Sequence, residues 1–272
     1  MTTKSRLKHQ KELEHLYSKN QLIPRIREEF INCKSFDFQK YISSCGIPFE
    51  FGISLLVQMA LHKRASIQVL IGILRYHFDN AQETADMLLK AAESDLVDYD
   101  PVTKVFVVNF TISNEVQEEL DRFQFPLPMV IRPKRIDDNR QTGYLLSEGS
   151  IILKDNHHMD DVCLDHINRV NRVRFTINKD TAAMVKNRWR NMDKPKEGES
   201  RDDFNRRKRA FEKYDRTAHD VIDLLIKEGN TFYLTHKYDK RGRVYCQGYH
   251  VNYQGNPWNK AVIEFADKEF VE

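Results

Sequence analysis

The densest run of chemistry-bearing residues in this sequence is Asp239-Lys240-Arg241-Gly242-Arg243-Val244-Tyr245. Arginine offers a planar fork of donors that matches phosphate oxygens, and a glycine between two arginines removes a side chain where a sugar-phosphate backbone would come close. Read as extended chain, the period of two puts Arg241, Arg243 and Tyr245 on one face, with the guanidiniums roughly 6 to 7 Å apart. Two forks at that spacing can grip a nucleic-acid backbone. Asp239 can accept from one arginine and fix its rotamer before a ligand arrives. An exposed basic hairpin without a ligand is the plainer alternative, and residue types alone leave it open.

Other chemistries find less support. His157-His158-Met159-Asp160-Asp161-Val162-Cys163-Leu164-Asp165-His166 is rich in metal-ligand types. A zinc site needs four convergent ligands, however, and Asp160 and Asp161 are also what a helix N-terminus favours. No metal site is expected on this chain. No serine or cysteine sits in a nucleophile elbow, and no glycine pattern of a P-loop or dinucleotide fold occurs. The four cysteines, Cys33, Cys45, Cys163 and Cys246, form no C-x-x-C pair and read as reduced thiols.

The elements that must position the arginine run follow from composition and periodicity. The 272 residues, 40% hydrophobic and 31% charged with only 10 glycines and 8 prolines, exclude a disordered or low-complexity chain. No apolar run reaches a membrane span of roughly 18 residues and no secretory leader opens the chain, so no membrane partner and a cytoplasmic location are expected. Net charge is only +3, but residues 76–100 carry a balance of −6 and residues 169–190 one of +6. A polyanion contacted mainly by the C-terminal half is one reading of that asymmetry, and ordinary solvated helix faces are the other.

The expected fold is mainly α with small β elements. Helices are expected over Ile53 to Leu61, Ile67 to Leu74 and, capped by Asn80, to about Ala92. A hairpin around Asp100-Pro101 and a short helix from Thr111 to Phe123 follow. Three helices and a hairpin outline a winged helix, but the third helix carries Asp79, Glu83, Asp86 and Glu93 against Lys90, and these carboxylates repel phosphates. Pro126, Pro128 and Pro133 mark a boundary. Beyond it, helices are expected near 160–172 and 179–189, then a mobile charged loop near 194–203. A strong amphipathic helix runs through Phe211, Tyr214, Ala218, Val221, Ile222 and Leu225 and stops at Gly229-Asn230. A strand over Thr231 to Leu234, the arginine segment, a turn at Asn252 to Pro257 and a helix from Trp258 to Ala266 complete the chain. The regions are thus 1–125, helical with a small hairpin; 126–230, helical with the loop; and 231–272, the hairpin and short helix.

Asp239 to Tyr245, followed by Asn252-Tyr253-Gln254-Gly255-Asn256 and Lys260, resembles in order and spacing the D/T-x-x-G-R motif and its continuation in the single-subunit RNA polymerases of T-odd phages and mitochondria. Pro126 to Pro133 looks like their proline-rich passage, and Phe211 to Gly229 occupies the place of the helix before the motif. Residues 85 to 268 are alignable, most specifically from 231 onward. The resemblance implies the N-terminal-domain-like region of such an enzyme, ending in a β-hairpin and short helix. It implies a DNA template and RNA:DNA hybrid as ligands of Arg241, Gly242 and Arg243, with Tyr245 and Lys260 as further contacts and Asp239 as their orienting group.

The palm aspartates and the fingers Lys and Tyr of that family lie after this motif and have no counterpart here, so no catalytic residue is expected on this chain. Either the chain is truncated or the polymerase is split between two chains, and the second is favoured because the chain resembles the small subunit of the heterodimeric RNA polymerase II of N-four-like bacteriophages. That implies a larger subunit carrying palm, fingers and Mg²⁺, a chain inactive alone, and the cytoplasm of an infected bacterial host as its location. The apolar residues Val244, Val251, Trp258, Ile263 and Phe265 are expected at the start of that partner interface. The rival expectation, from another class, is a stand-alone nucleic-acid-binding transcription regulator.

Overall fold

The computed structural model describes residues 3–122, 125–153, 157–189 and 192–269. Phe123, Arg190 and residues 270–272, which the segments above include, lie outside them. Residues 18–124 form one unit, and residues 1–17 with 125–272 form another. Helix α1 (Thr3–Leu16) belongs to the latter.

In the first unit, α2 (Ile23–Ile31) has Pro24 in its opening turn, where the missing N–H is no loss. The Asp37 carboxylate caps α3 (Phe38–Ser44) by accepting from the Lys40 N–H at 2.9 Å. Helix α4 (Phe49–His62) encloses Phe51, Ile53, Leu55 and Met59 completely, which is why its sequence is apolar nearly all round rather than striped. After it come β1 (Arg64–Ser66), α5 (Ile67–Leu74), α6 (Ala81–Glu93), β2 (Asp98–Asp100), β3 (Val105–Val107) and α7 (Asn114–Arg122). The strands pair antiparallel in the order β1-β3-β2, with Phe106 opposite both Ala65 and Tyr99.

Helix, strand, two helices and a two-stranded wing is the winged-helix topology. Strand β1 completes it and had no signal in the sequence, because three residues between two helices show no period. Helix α6 buries Thr84, Leu88 and Ala91, at i, i+4 and i+7, and turns Glu83, Asp86 and Glu93 to solvent. Lys90, its basic residue, donates to the Gly46 carbonyl at 2.7 Å.

In the second unit, α8 (Leu164–Val170), β4 (Arg174–Ile177) and α9 (Lys179–Met184) precede the 27-residue α10 (Arg201–Lys227). Then follow β5 (Phe232–Tyr233), β6 (His236–Tyr238), β7 (Val244–Cys246), α11 (Pro257–Val262) and β8 (Ile263–Phe265). Strands β5, β4 and β8 form an antiparallel sheet in that order, and β6 and β7 form a separate ribbon. The C-terminal part of α10 packs Ala218, Val221, Ile222 and Leu225 with Phe175, Phe232, Val251 and Trp258. Gly229 at φ 99 and Asn230 at φ 54 end the helix, and the Asn230 N–H returns to the Leu225 carbonyl.

The result is a mainly α chain with small antiparallel sheets. Three helices are shorter than their periodicity implies. Before α8, the His158 and Asp160 carbonyls accept from Asn139, so that stretch is held outside the helix. Helix α9 ends where Val185 becomes extended at ψ 119, and the stretch after α11 is drawn into the sheet as β8 opposite β4. Among the described residues no single helix is long and apolar enough to cross a membrane.

Candidate nucleic-acid interface

The β6-β7 ribbon is held from several sides. On one edge Tyr238 donates its N–H to the Ile151 carbonyl and accepts from the Leu153 N–H, both at 2.7 Å. On the other, the Gln254 side chain accepts from the Cys246 N–H at 2.8 Å and donates to the Val244 carbonyl at 3.1 Å. That edge is therefore satisfied by a side chain rather than left as an open strand. Buried His236 bonds Asn171 through Nδ1 at 2.8 Å and the Tyr253 hydroxyl through Nε2 at 2.9 Å. Desolvation pushes its pKa down to about 4, so the imidazole is neutral near pH 7. Gly248 lies where the chain leaves β7, and a Cβ there would stand 2.0 Å from the Val251 carbonyl oxygen.

Sequence reasoning treated residues 252–257 as a turn and missed what their side chains do. Asn252 donates to the Gly248 carbonyl at 2.6 Å, Asn259 donates to the Tyr214 hydroxyl at 2.9 Å, and Asn256 donates to Asn187 at 2.9 Å. These amides tie the segment after the ribbon to α10 and to itself. Residue type gave them only a high density of Asn and Gln, which reads equally well as a solvated loop, and the resemblance that runs through Asn252 to Asn256 says nothing of these bonds.

At the tip, Asp239 organises the turn. Its carboxylate accepts from the backbone N–H of Arg241 at 2.9 Å and of Arg243 at 3.0 Å. It also accepts from Arg243 Nε at 2.8 Å and more distantly from Arg241 Nε at 3.4 Å. The Tyr245 hydroxyl lies 3.5 Å away, and the Arg243 guanidinium carbon sits 5.4 Å from the centre of the Tyr245 ring. Desolvation would raise the Asp239 pKa, but donation and charge from Arg243 outweigh it and hold the carboxyl below its ordinary range. Asp239 is thus an ionised, enclosed anchor with a side chain 13% exposed, while Arg241 and Arg243 remain 62% and 52% exposed.

This corrects the extended reading. Arg241 and Gly242 lie in the turn between β6 and β7, so Arg241, Arg243 and Tyr245 converge through Asp239 and not through a strand period. Gly242 adopts φ 76 with open space around its Cβ position; the conformation requires the glycine, and no neighbour crowds it. Lys260 is exposed on α11, and among the described residues no hydrogen bond or ion pair joins its side chain to the ribbon.

The expectation for the apolar C-terminal residues is also corrected. Val251 and Trp258 are 1% and 2% exposed within the unit's own core, Val244 and Ile263 are half-buried, and Phe265 at 64% is the exposed one. Sheet pairing of β8 with β4 and the packing of α10 enclose what a bare sequence leaves open. Among the described residues no three or more His, Cys, Asp or Glu side chains come together as a metal-holding group.

Chemically, the ribbon presents two half-exposed guanidiniums, that of Arg243 set by an internal carboxylate and that of Arg241 engaged by it only loosely, an arrangement suited to a phosphate-bearing strand. No family model matches the chain. It is similar to a protein named probable DNA-directed RNA polymerase from Agaricus bitorquis, 28% identical over 193 residues. That alignment covers 61% of this chain and 17% of the fungal protein, so the chain spans about a sixth of the relative it matches.

Proposed function

We propose that this chain is a subunit of a DNA-directed RNA polymerase, holding the template strand and RNA:DNA hybrid through Arg241 and Arg243 beside an active centre on a larger partner chain. The observation that carries this reading is the Asp239-organised turn, which orients Arg243 through its side chain and Arg241 through its backbone before any ligand is present, in a chain similar to a probable polymerase. Tyr245 supports Arg243 through its ring, and Lys260 is a further cation for the same strand. The nucleotidyl transfer needs carboxylates that hold two Mg²⁺ ions about 3.5 to 4 Å apart, and on this reading the partner supplies both. The heterodimer, the phage origin and the host cytoplasm belong to the same proposal.

The test is nucleotide incorporation with Mg²⁺ by the highly purified chain, alone and after addition of the palm-bearing subunit that co-purifies with it. No incorporation alone and incorporation with the partner are expected. Activity of the chain alone would overturn the division of labour, and a stable, monomeric chain that regulates transcription without any partner would favour the stand-alone regulator.

A further inference from the structure

A cleft of about 610 Å³ lies beside the turn, within the size range of about 300–1,000 Å³ typical of ligand sites. One wall brings Asp161, Asp165 and Arg169 from α8 and its approach; the other brings Asp239, Lys240 and Gly242 from the ribbon turn. Arg169 and Lys240 have no ion-pair partner among the described residues. They differ in this from Arg241 and Arg243, which Asp239 holds. Asp165 and Arg169 are one helical turn apart, roughly 6 Å along the axis, and do not bridge. The cleft therefore carries both signs, with Asp161, Asp165 and Asp239 as carboxylates and one cation without an ion-pair partner on each wall, Arg169 on α8 and Lys240 on the turn.

A nucleotide within a strand carries groups for both signs: an anionic phosphodiester for the cations, and amino or hydroxyl donors on base and sugar for the carboxylates. We propose that this cleft is a second nucleic-acid subsite, seating one nucleotide of the strand gripped by the turn. Its phosphodiester lies between Arg169 and Lys240, and its donor edge faces Asp161 and Asp165. Lys240 is the link between the two sites, since it directly precedes Arg241. The inference rests on the nucleic-acid reading of the ribbon, and its failure can be told apart from the failure of that reading.

The experiment is fluorescence anisotropy of the full chain with short labelled single-stranded DNA and RNA, repeated across salt concentrations. Arg169→Ala and Lys240→Ala should each weaken binding about three- to tenfold and lower the salt slope by about one, with unchanged melting temperature. A loss on DNA, on RNA or on both supports the subsite and identifies which strand occupies it. Arg169→Lys should recover most of the slope, because the charge is kept. If both alanine variants bind as the wild type does while Arg243→Ala weakens binding, the subsite is overturned and the ribbon reading stands. A wild-type chain that retains neither oligonucleotide overturns both. A lower melting temperature in Arg169→Ala with no recovery in Arg169→Lys would make Arg169 structural and also reject the subsite.

Discussion

Helix α6 and the β6-β7 turn use charge in opposite ways. On α6, Glu83, Asp86 and Glu93 face solvent, while Lys90, exposed as well, is engaged by the Gly46 carbonyl. At the turn, one carboxylate is enclosed and two arginines stand more than half exposed around it. Segment charge predicts the sign of each surface, but it does not say which group is used internally and which is presented. That assignment comes from backbone geometry. Asp239 is enclosed because the turn brings two N–H groups to it, and Lys90 is held because α6 passes beside the open carbonyl of Gly46. The winged-helix topology of the first unit thus carries the wrong sign for phosphate on the helix that would read DNA, while a small ribbon without any such fold carries the right one.

The largest expected effect lies at the ribbon. Arg243→Ala removes a charge-assisted contact of roughly 1.5–3 kcal/mol if the guanidinium holds a phosphate, about a ten- to hundredfold loss of nucleic-acid retention. The rival account, in which Arg243 exists only to pair with Asp239, expects much less. An ion pair whose arginine is half exposed adds little to folding and nothing to a ligand. Measuring thermal stability and oligonucleotide affinity on one preparation separates the two. Affinity should fall steeply with little change in melting temperature, and the reverse pattern would reject the nucleic-acid role. Arg243→Lys should recover only part of the loss, since a point charge replaces a fork.

A smaller effect concerns acid. The pKa values of His236 and His250 are both lowered by burial to about 4. Around His236 stand Asn171, Tyr253 and, through its charge, His166, with no carboxylate bonded to the imidazole. Unfolded histidine takes up a proton near pH 6.5. Between that pH and about 4 the unfolded chain binds protons that the folded chain refuses, so stability present above pH 6.5 falls as the pH drops through this window. For each histidine the loss approaches roughly 3 kcal/mol at its acid end. Chemical denaturation at a series of pH values should show this slope, and His236→Asn should flatten part of it. An unchanged slope in that variant would mean that His236 is already protonated in the fold, and that the neutral anchor of the ribbon is misassigned.

Much of this was legible in advance, for reasons that differ by element. Helices α4 to α7 follow from periodicity and caps, whereas α2 and α3 were not read, and Asn80 and Gly229-Asn230 stand where local chemistry put them. The arginine segment was legible as chemistry, since residue type alone marks two forks beside a carboxylate. Its geometry was not, because a four-residue turn and an extended strand share the same residues until Gly242 takes a positive φ. Strand β1, the conversion of residues 263–265 to β8 and the burial of Trp258 all depend on partners distant in sequence. Arg169 was counted only as one charge in a basic stretch, and its place in one cleft with Lys240 needs the fold.

The smallest expected effect tests the other side of the comparison. Asp86→Asn with Glu93→Gln removes two exposed carboxylates from α6 without touching its buried face, so stability should stay within about 0.5 kcal/mol. Asp86 also accepts from Gln82 one turn earlier at 2.7 Å, a contact that asparagine can keep through its amide oxygen. If α6 lies away from the nucleic acid, the change in affinity is limited to the long-range field, which is screened within about 8 Å at physiological salt. Oligonucleotide affinity should then move by less than about twofold, far below the Arg243→Ala effect. If α6 instead approaches the strand, removing two repulsive charges should raise affinity severalfold and make the salt dependence steeper. That outcome would place the winged-helix unit at the nucleic acid and remove the contrast between an acidic surface turned to solvent and a basic turn facing the strand.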